Sequence, residues 1–396
     1  MSPVRTDTVR QALLADLDKL RDPQGYLRAG WPRYHTLFGR DSLISAWQTL
    51  RVDSSIARST LQVLASYQGR RVDPVAEEEP GKILHEHRFD SASRAELPGR
   101  VFPYYGSVDS TPLFLVVAGA YLATTGDAGF LEELWHALVA AHTWMTTYGD
   151  PDRDGFLEYK SRNPSALFHQ GWKDGSEDHL KIRPPVALVE VQGYAYAAHL
   201  AFAEISRSLA RRKEAEEALD AAERLRVRVN HAFWWPEQGT FYLALDGAKR
   251  PRAAVTSNPG HLLATGVVDT EKIAPLVRRL FARDLWTSYG IRTHSTAEPD
   301  FDPYGYHTGT VWPHDNWFLY RALRAVGYAR EADQVHEALF CAYSLLGKIP
   351  ELYAVVDDHV IDLSSEAVHG TQANPVQAWS LGALLDMASD KGAIIP

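Results

Sequence analysis

The chain has 396 residues, 45% hydrophobic and 23% charged, a balance that suits a folded globular protein and excludes a disordered or collagen-like one. Its formal net charge is −9, from 41 Lys and Arg against 50 Asp and Glu, and no basic stripe stands out, which argues against a nucleic-acid footprint. Aromatic residues (11 Trp, 18 Tyr and 14 Phe) exceed what packing alone recruits, so some are expected to line a ligand site.

Hydrophobic spacing near 3.6 predicts helices over residues 6–19, 41–51, 53–69, 109–124, 127–147, 186–208, 212–234, 257–266, 270–283, 307–327, 329–346 and 374–389. Starts are marked by Asp127, by Pro112 in a first turn and by Pro184-Pro185, and stops by Gly69, Gly149 and Gly347. Residues 240–245 read as one small hairpin, and the mixed charges of residues 206–228 as the solvated face of an outer helix. Long connections hold nearly all the Trp, His, Gly and acidic clusters. Helices joined as successive hairpins close into a ring whose loops form a funnel on one side. The expectation is therefore an all-α chain, a single (α/α)6 barrel domain over residues 1–396 with minor β-hairpins in its loops. An open solenoid would need a repeat of roughly 30–45 residues, which the sequence lacks.

The single cysteine, Cys341, lies among Leu339, Phe340 and Tyr343 and is expected in the core, so no internal disulfide points to an oxidising compartment. The opening Met1-Ser2-Pro3-Val4-Arg5-Thr6-Asp7 lacks the order of a signal peptide, and the apolar run near residues 113–120 is too short to span a bilayer. A cytoplasmic protein without membrane or nucleic-acid partners is expected. Oligomeric state is not legible.

Four segments concentrate chemistry. In Gln170-Gly171-Trp172-Lys173-Asp174-Gly175 a carboxyl stands beside an apolar wall, where desolvation would keep it protonated and fit it as a general acid, although a surface turn or helix cap is the plainer role. Glu351, after Pro350 in an apolar stretch, is either a loop tip or a carboxylate aimed into a cavity. Two carboxyls flanking a sugar, one donating a proton and one activating water, are the minimum for cleaving a glycosidic bond with inversion. Phe38-Gly39-Arg40-Asp41-Ser42 enters a helix with an Arg/Asp pair suited to vicinal hydroxyls, or with Asp41 simply complementing the helix dipole. The run from Tyr306 to Asn316 is so dense in aromatic, polar and turn residues that substrate contact explains it best.

Together with Gly81-Lys82-Ile83-Leu84-His85-Glu86-His87-Arg88, the run from Tyr104 to Pro112, Glu190-Val191-Gln192-Gly193-Tyr194 and Pro375-Val376-Gln377-Ala378-Trp379, these segments resemble the glucosidase part of glycogen debranching enzymes and related toroidal glycoside hydrolases. The resemblance covers most of the chain. It implies inverting hydrolysis of α-linked glucosides without a cofactor, Asp174 matching the general acid and Glu351 the general base. It further implies that Tyr34, Phe38, Arg40, Asp41, Glu86, Asp109, Trp172, Lys173, Gln192, Tyr306, His307, Trp312, His314 and Trp379 line a small saccharide. Debranching-type proteins often carry another domain before the toroid; none is expected here, so small substrates are expected, with glucosylglycerate or mannosylglycerate ranked second to α-glucosides. The rival readings are a sugar epimerase using His307 and His314, and a non-catalytic glycan-binding protein.

Two metal-like motifs carry less weight. Asp150-Pro151-Asp152-Arg153-Asp154-Gly155 imitates half of a calcium loop, but its twelfth position is Ser161, so a solvated turn is the expectation. In His85-Glu86-His87 the two histidines are spaced i, i+2 and do not share a helix face, so no catalytic metal is expected.

Overall fold

The computed structural model describes residues 6–390. Its helices are α1 Thr6–Asp18, α2 Gly39–Thr49, α3 Ser54–Ser66, α4 Ser91–Ala95, α5 Ser110–Thr125, α6 Ala128–Glu133, α7 Trp135–Met145, α8 Val189–Ser208, α9 Arg212–Ala232, α10 Pro259–Thr265, α11 Thr270–Leu280, α12 Pro313–Ala325, α13 Ala329–Leu346 and α14 Ala378–Ser389. Helices α2, α5, α8, α10, α12 and α14 each pack against the next, and α14 returns to α2, so they form a closed inner ring. Outside it lie α3, α7, α9, α11 and α13, and α1 packs on α14 to complete the outer layer. This is the (α/α)6 toroid, its last hairpin assembled from the two ends of the chain.

Burial explains the layering. The inner α2 buries every residue from Gly39 to Thr49 except Trp47, whereas the outer α9 buries only Ala215, Ala218, Ala222, Leu225, Val229 and Asn230, a single stripe at helical spacing. A helix apolar on one face needs one neighbour, and a helix buried all round needs neighbours on both sides. Local signals fix the ends: Asp53 and Asp127 accept backbone N–H bonds at the starts of α3 and α6, and Gly126 and Gly347 adopt left-handed conformations (φ 68° and 70°) after α5 and α13.

Several expectations are corrected. The helix expected over 127–147 breaks at Leu134 into α6 and α7, and that expected from 307 starts only at Pro313, because residues 306–312 form a loop. Residues 240–245 are not one hairpin: Thr240–Phe241 pairs with Trp234–Trp235, while Ala244–Leu245 lies between Ala187–Leu188 and Pro251–Arg252. Cys341 is exposed, facing outward from α13. A two-residue pairing of Gly30–Trp31 with Val376–Gln377 ties the first loop to the last. Among the described residues no helix is long and apolar enough to cross a membrane. Residues 1–5, which hold most of the opening segment read for a signal peptide, lie outside the described residues.

Candidate active site

Loops preceding the inner helices, together with the first turns of α2 and α14, enclose a cavity of about 640 Å³. Arg40, in the first turn of α2 and 3% exposed, is its electrostatic centre. One arm of the guanidinium donates to both carboxylate oxygens of Asp109 at 3.2 and 3.0 Å; the other donates to Asp174; and Nε lies 3.9 Å from Asp41. The backbone can bring Arg40 here because Gly39 has no side chain: a Cβ there would sit 2.0 Å from the Leu84 carbonyl oxygen.

Asp174 faces the cavity from the loop before α8. Burial pushes its carboxyl up from the ordinary range and Arg40 pulls it back. Glu351, from the loop between α13 and α14, lines the same cavity. Its Oε1 accepts from the Tyr306 hydroxyl at 2.6 Å and its Oε2 from the Asn374 backbone N–H at 2.9 Å. Burial pushes Glu351 up to about 7 against these two bonds. Asp41 is also raised to about 7, first by burial, with Arg40 opposing; the Gln377 amide donates to it at 3.3 Å.

Tyr34, Phe38, Glu86, Trp172, Tyr306, His307, Trp312 and Trp379 complete the expected lining. Trp312 and His307 stack at 5.4 Å with planes 17° apart, and Tyr306 meets Trp312 edge-on. Such ring walls present flat apolar faces beside carboxylates, a combination suited to a sugar ring.

Four expected lining residues do not reach the cavity. Asp109 is wholly buried at the start of α5 and bonds Arg40 from behind. Lys173 points the other way, its ammonium over the Trp172 ring and donating to the Thr293 carbonyl at 2.8 Å; burial lowers it to about 8. Gln192 spends its amide on the backbone of Leu157 and Leu188. His314 lies behind Trp379, stacked on it at 4.0 Å. Side-chain direction alternates within a short segment, so Trp172 and Asp174 face the cavity while Lys173 between them cannot.

The cavity also holds residues that sequence reasoning missed. His85, Arg88, Arg100 and His179 line it. Arg88 donates to Glu86 at 2.5 Å, and Arg100 reaches the other Glu86 oxygen at 3.5 Å and lies over the Tyr104 ring. Arg88 sits in a segment already singled out, whereas Arg100 follows a loop with no distinguishing pattern. In the calcium-like loop a lysine takes the place of a cation: Lys249 Nζ lies 3.0 Å from Asp152, 2.6 Å from Asp154 and in contact with Glu158.

The fold and cavity define a helical toroid with a carboxyl-lined funnel. A profile described as the mannosylglycerate hydrolase MGH1-like glycoside hydrolase domain matches residues 34–354, and the chain belongs to that family. Mannosylglycerate hydrolase of Rubrobacter radiotolerans is 32% identical over 146 residues, a stretch covering 35% of this chain and 31% of that relative, so the match spans less than a third of its length. The GH63 mannosylglycerate hydrolase of Thermus thermophilus, solved with Tris, superposes with a TM-score of 0.71 at 16% identity over 96% of this chain and 99% of that one. A structure described as wild-type glycosidase gives 0.68 at 18% identity over 98% and 97%. These structures establish the shared toroid. The expected membership among toroidal glycoside hydrolases holds, and within them the family matched is the mannosylglycerate hydrolase type and not the debranching type.

Proposed function

We propose that the chain is an inverting hydrolase of a small α-glycoside whose aglycone is a hydroxy acid of the glycerate kind, with Asp174 as general acid and Glu351 as general base. The observation that carries this reading is the presence of both carboxyls, delivered by loops 177 residues apart in sequence (351 − 174), on the wall of one cavity. Asp174 would protonate the glycosidic oxygen as the bond to the anomeric carbon breaks. Glu351 would take a proton from water attacking the opposite face, so that the product has inverted configuration. Burial raises both carboxyls, opposed at Asp174 by Arg40 and at Glu351 by the bonds from Tyr306 and Asn374, so both stay above the ordinary carboxyl range, where acid and base catalysis near neutrality needs them.

Arg88 and Arg100, each also paired with Glu86, are groups on the cavity wall that an anionic aglycone would meet, since guanidinium groups recognise carboxylates. Family membership supports the same choice over the α-glucosides ranked first from sequence. The epimerase pair expected from sequence is broken, since His307 lines the cavity but His314 lies behind Trp379. The test is a hydrolysis panel of mannosylglycerate, glucosylglycerate, maltose, isomaltose and trehalose with NMR detection of the first-formed anomer. The expected result is turnover of a glycerate glycoside giving the β-sugar first. Preference for maltose or isomaltose would remove the glycerate assignment, and an initial α-sugar would remove the inverting one.

A further inference from the structure

A second cavity, of about 190 Å³, shares no lining residue with the first. Its charged lining is balanced, with Glu77, Glu79 and Glu158 against Lys82, Lys160 and Arg162. Lys82 is 6% exposed with few hydrogen bonds: its ammonium donates one long bond, 3.3 Å, to the Glu77 carbonyl, stands 3.9 Å from Glu79 and lies 5.6 Å from the centre of the Trp144 ring. A buried ammonium with spare N–H groups is costly unless an acceptor meets them. Glu79 is occupied, accepting from the Trp144 indole at 2.8 Å and paired with Arg162 at 3.0 Å. Glu158, 4% exposed, gives one oxygen to Lys249 while the other has no partner. Trp144 and Tyr148 add ring surface to the wall, and Tyr148, 41% exposed, stands at the edge toward solvent.

We infer that this cavity binds a small neutral polyhydroxylated molecule, a hexose or a shorter polyol. An anion would meet three carboxylates and a cation three basic groups, whereas the hydroxyls of a polyol can accept from Lys82 and its C–H groups can lie on the Tyr148 ring. The site adjoins the catalytic loop at its root: the Gln170 side chain, on the cavity wall, donates to Glu77, and its carbonyl accepts from the backbone N–H of Val108, next to Asp109, at 3.0 Å. The inference does not depend on which glycoside the enzyme hydrolyses.

The test is fluorine NMR of the full chain labelled with 5-fluorotryptophan, the Trp144 and Trp379 resonances being assigned by loss in Trp144→Phe and Trp379→Phe. Glucose, mannose and glycerol are titrated separately. The expected result is a saturable shift of the Trp144 resonance, with affinity weakened about tenfold in Lys82→Met, the loss of one charged hydrogen bond, and weakened also in Tyr148→Ala, which alters only a half-exposed ring. A response to the hexoses marks a sugar site, and a response to glycerol alone a polyol site. If Trp144 is unmoved by all three while Trp379 reports filling of the catalytic cavity, the proposal fails; it fails equally if neither substitution changes the affinity.

Discussion

Arg40 and Asp174 form an ion pair inside the cavity that both of them line. Asp109, gripping the same guanidinium from behind, fixes the direction from which the charge arrives. A general acid held by a cation is pulled toward its ionised form, so burial has to win for Asp174 to arrive protonated at neutral pH. Asp174→Asn is expected to lower kcat/KM on a glycerate glycoside by about 10²–10⁴-fold, the range for losing a positioned acid. The same variant should lose far less on a substrate whose leaving group departs without a proton, such as a glycosyl fluoride. Equal losses on both substrates would take the acid role away from Asp174.

Tyr306 and Asn374 provide the two hydrogen bonds that stabilise the charged form of Glu351. With Glu351 pushed up to about 7, kcat/KM is expected to rise with pH through that region, because the base acts only when deprotonated. Tyr306→Phe removes a bond that lowers the value, so its rising limb should move to higher pH. Steady-state rates across pH 5–9, a span of about two units either side of the midpoint, read this directly. A limb that stays in place, or moves to lower pH, would contradict the assignment of Glu351 as base.

The ring of helices was legible because apolar residues recur at helical spacing in nearly every member, even though inner helices such as α2 also bury polar side chains that the spacing does not announce. The lining aromatics and carboxyls were legible where several stood together, as at Trp172 and Asp174 or from Tyr306 to Trp312. What a linear pattern could not carry was side-chain direction. Lys173 and Gln192 belong to the same phrases as true lining residues, yet turn to backbone carbonyls behind the wall. Arg100 was missed for the opposite reason: it reaches the cavity from a loop whose sequence has no period and no motif, and only tertiary packing over Tyr104 brings it there. Lys249 shows the same limit, since a partner roughly a hundred residues from an acidic loop leaves no local trace.

His142 and His199 share a hydrogen bond of 2.9 Å between α7 and α8, and His142 stacks on Phe202 at 4.2 Å. Burial holds His142 down to about 4 and His199 to about 3, the latter helped by His142 and Arg224. A histidine depressed on folding is neutral in the native chain while the unfolded chain takes up protons below about 6.5, so stability is intact above that pH and falls as pH drops toward 4. Replacing the pair, as in His142→Gln combined with His199→Leu, is expected to flatten the loss of urea midpoint between pH 6.5 and 4, whatever it does to stability at pH 8. An unchanged slope would assign the acid sensitivity elsewhere.

Lys249 is the shared counter-ion of Asp152, Asp154 and Glu158, and the last of these has a side chain with no exposure to solvent. Removing one partner of a buried pair strands the other, which costs more than the pair contributed. Lys249→Met is therefore expected to destabilise the fold by about 3 kcal/mol, near the lower end for a stranded buried charge because Lys249 itself is partly exposed. Neutralising the stranded group in Lys249→Met/Glu158→Gln should recover part of that loss, a coupling between neighbours that urea unfolding of the two single variants and the double variant would resolve. If the two losses simply add, Lys249 is an ordinary surface lysine and the acidic loop is held by its own turns.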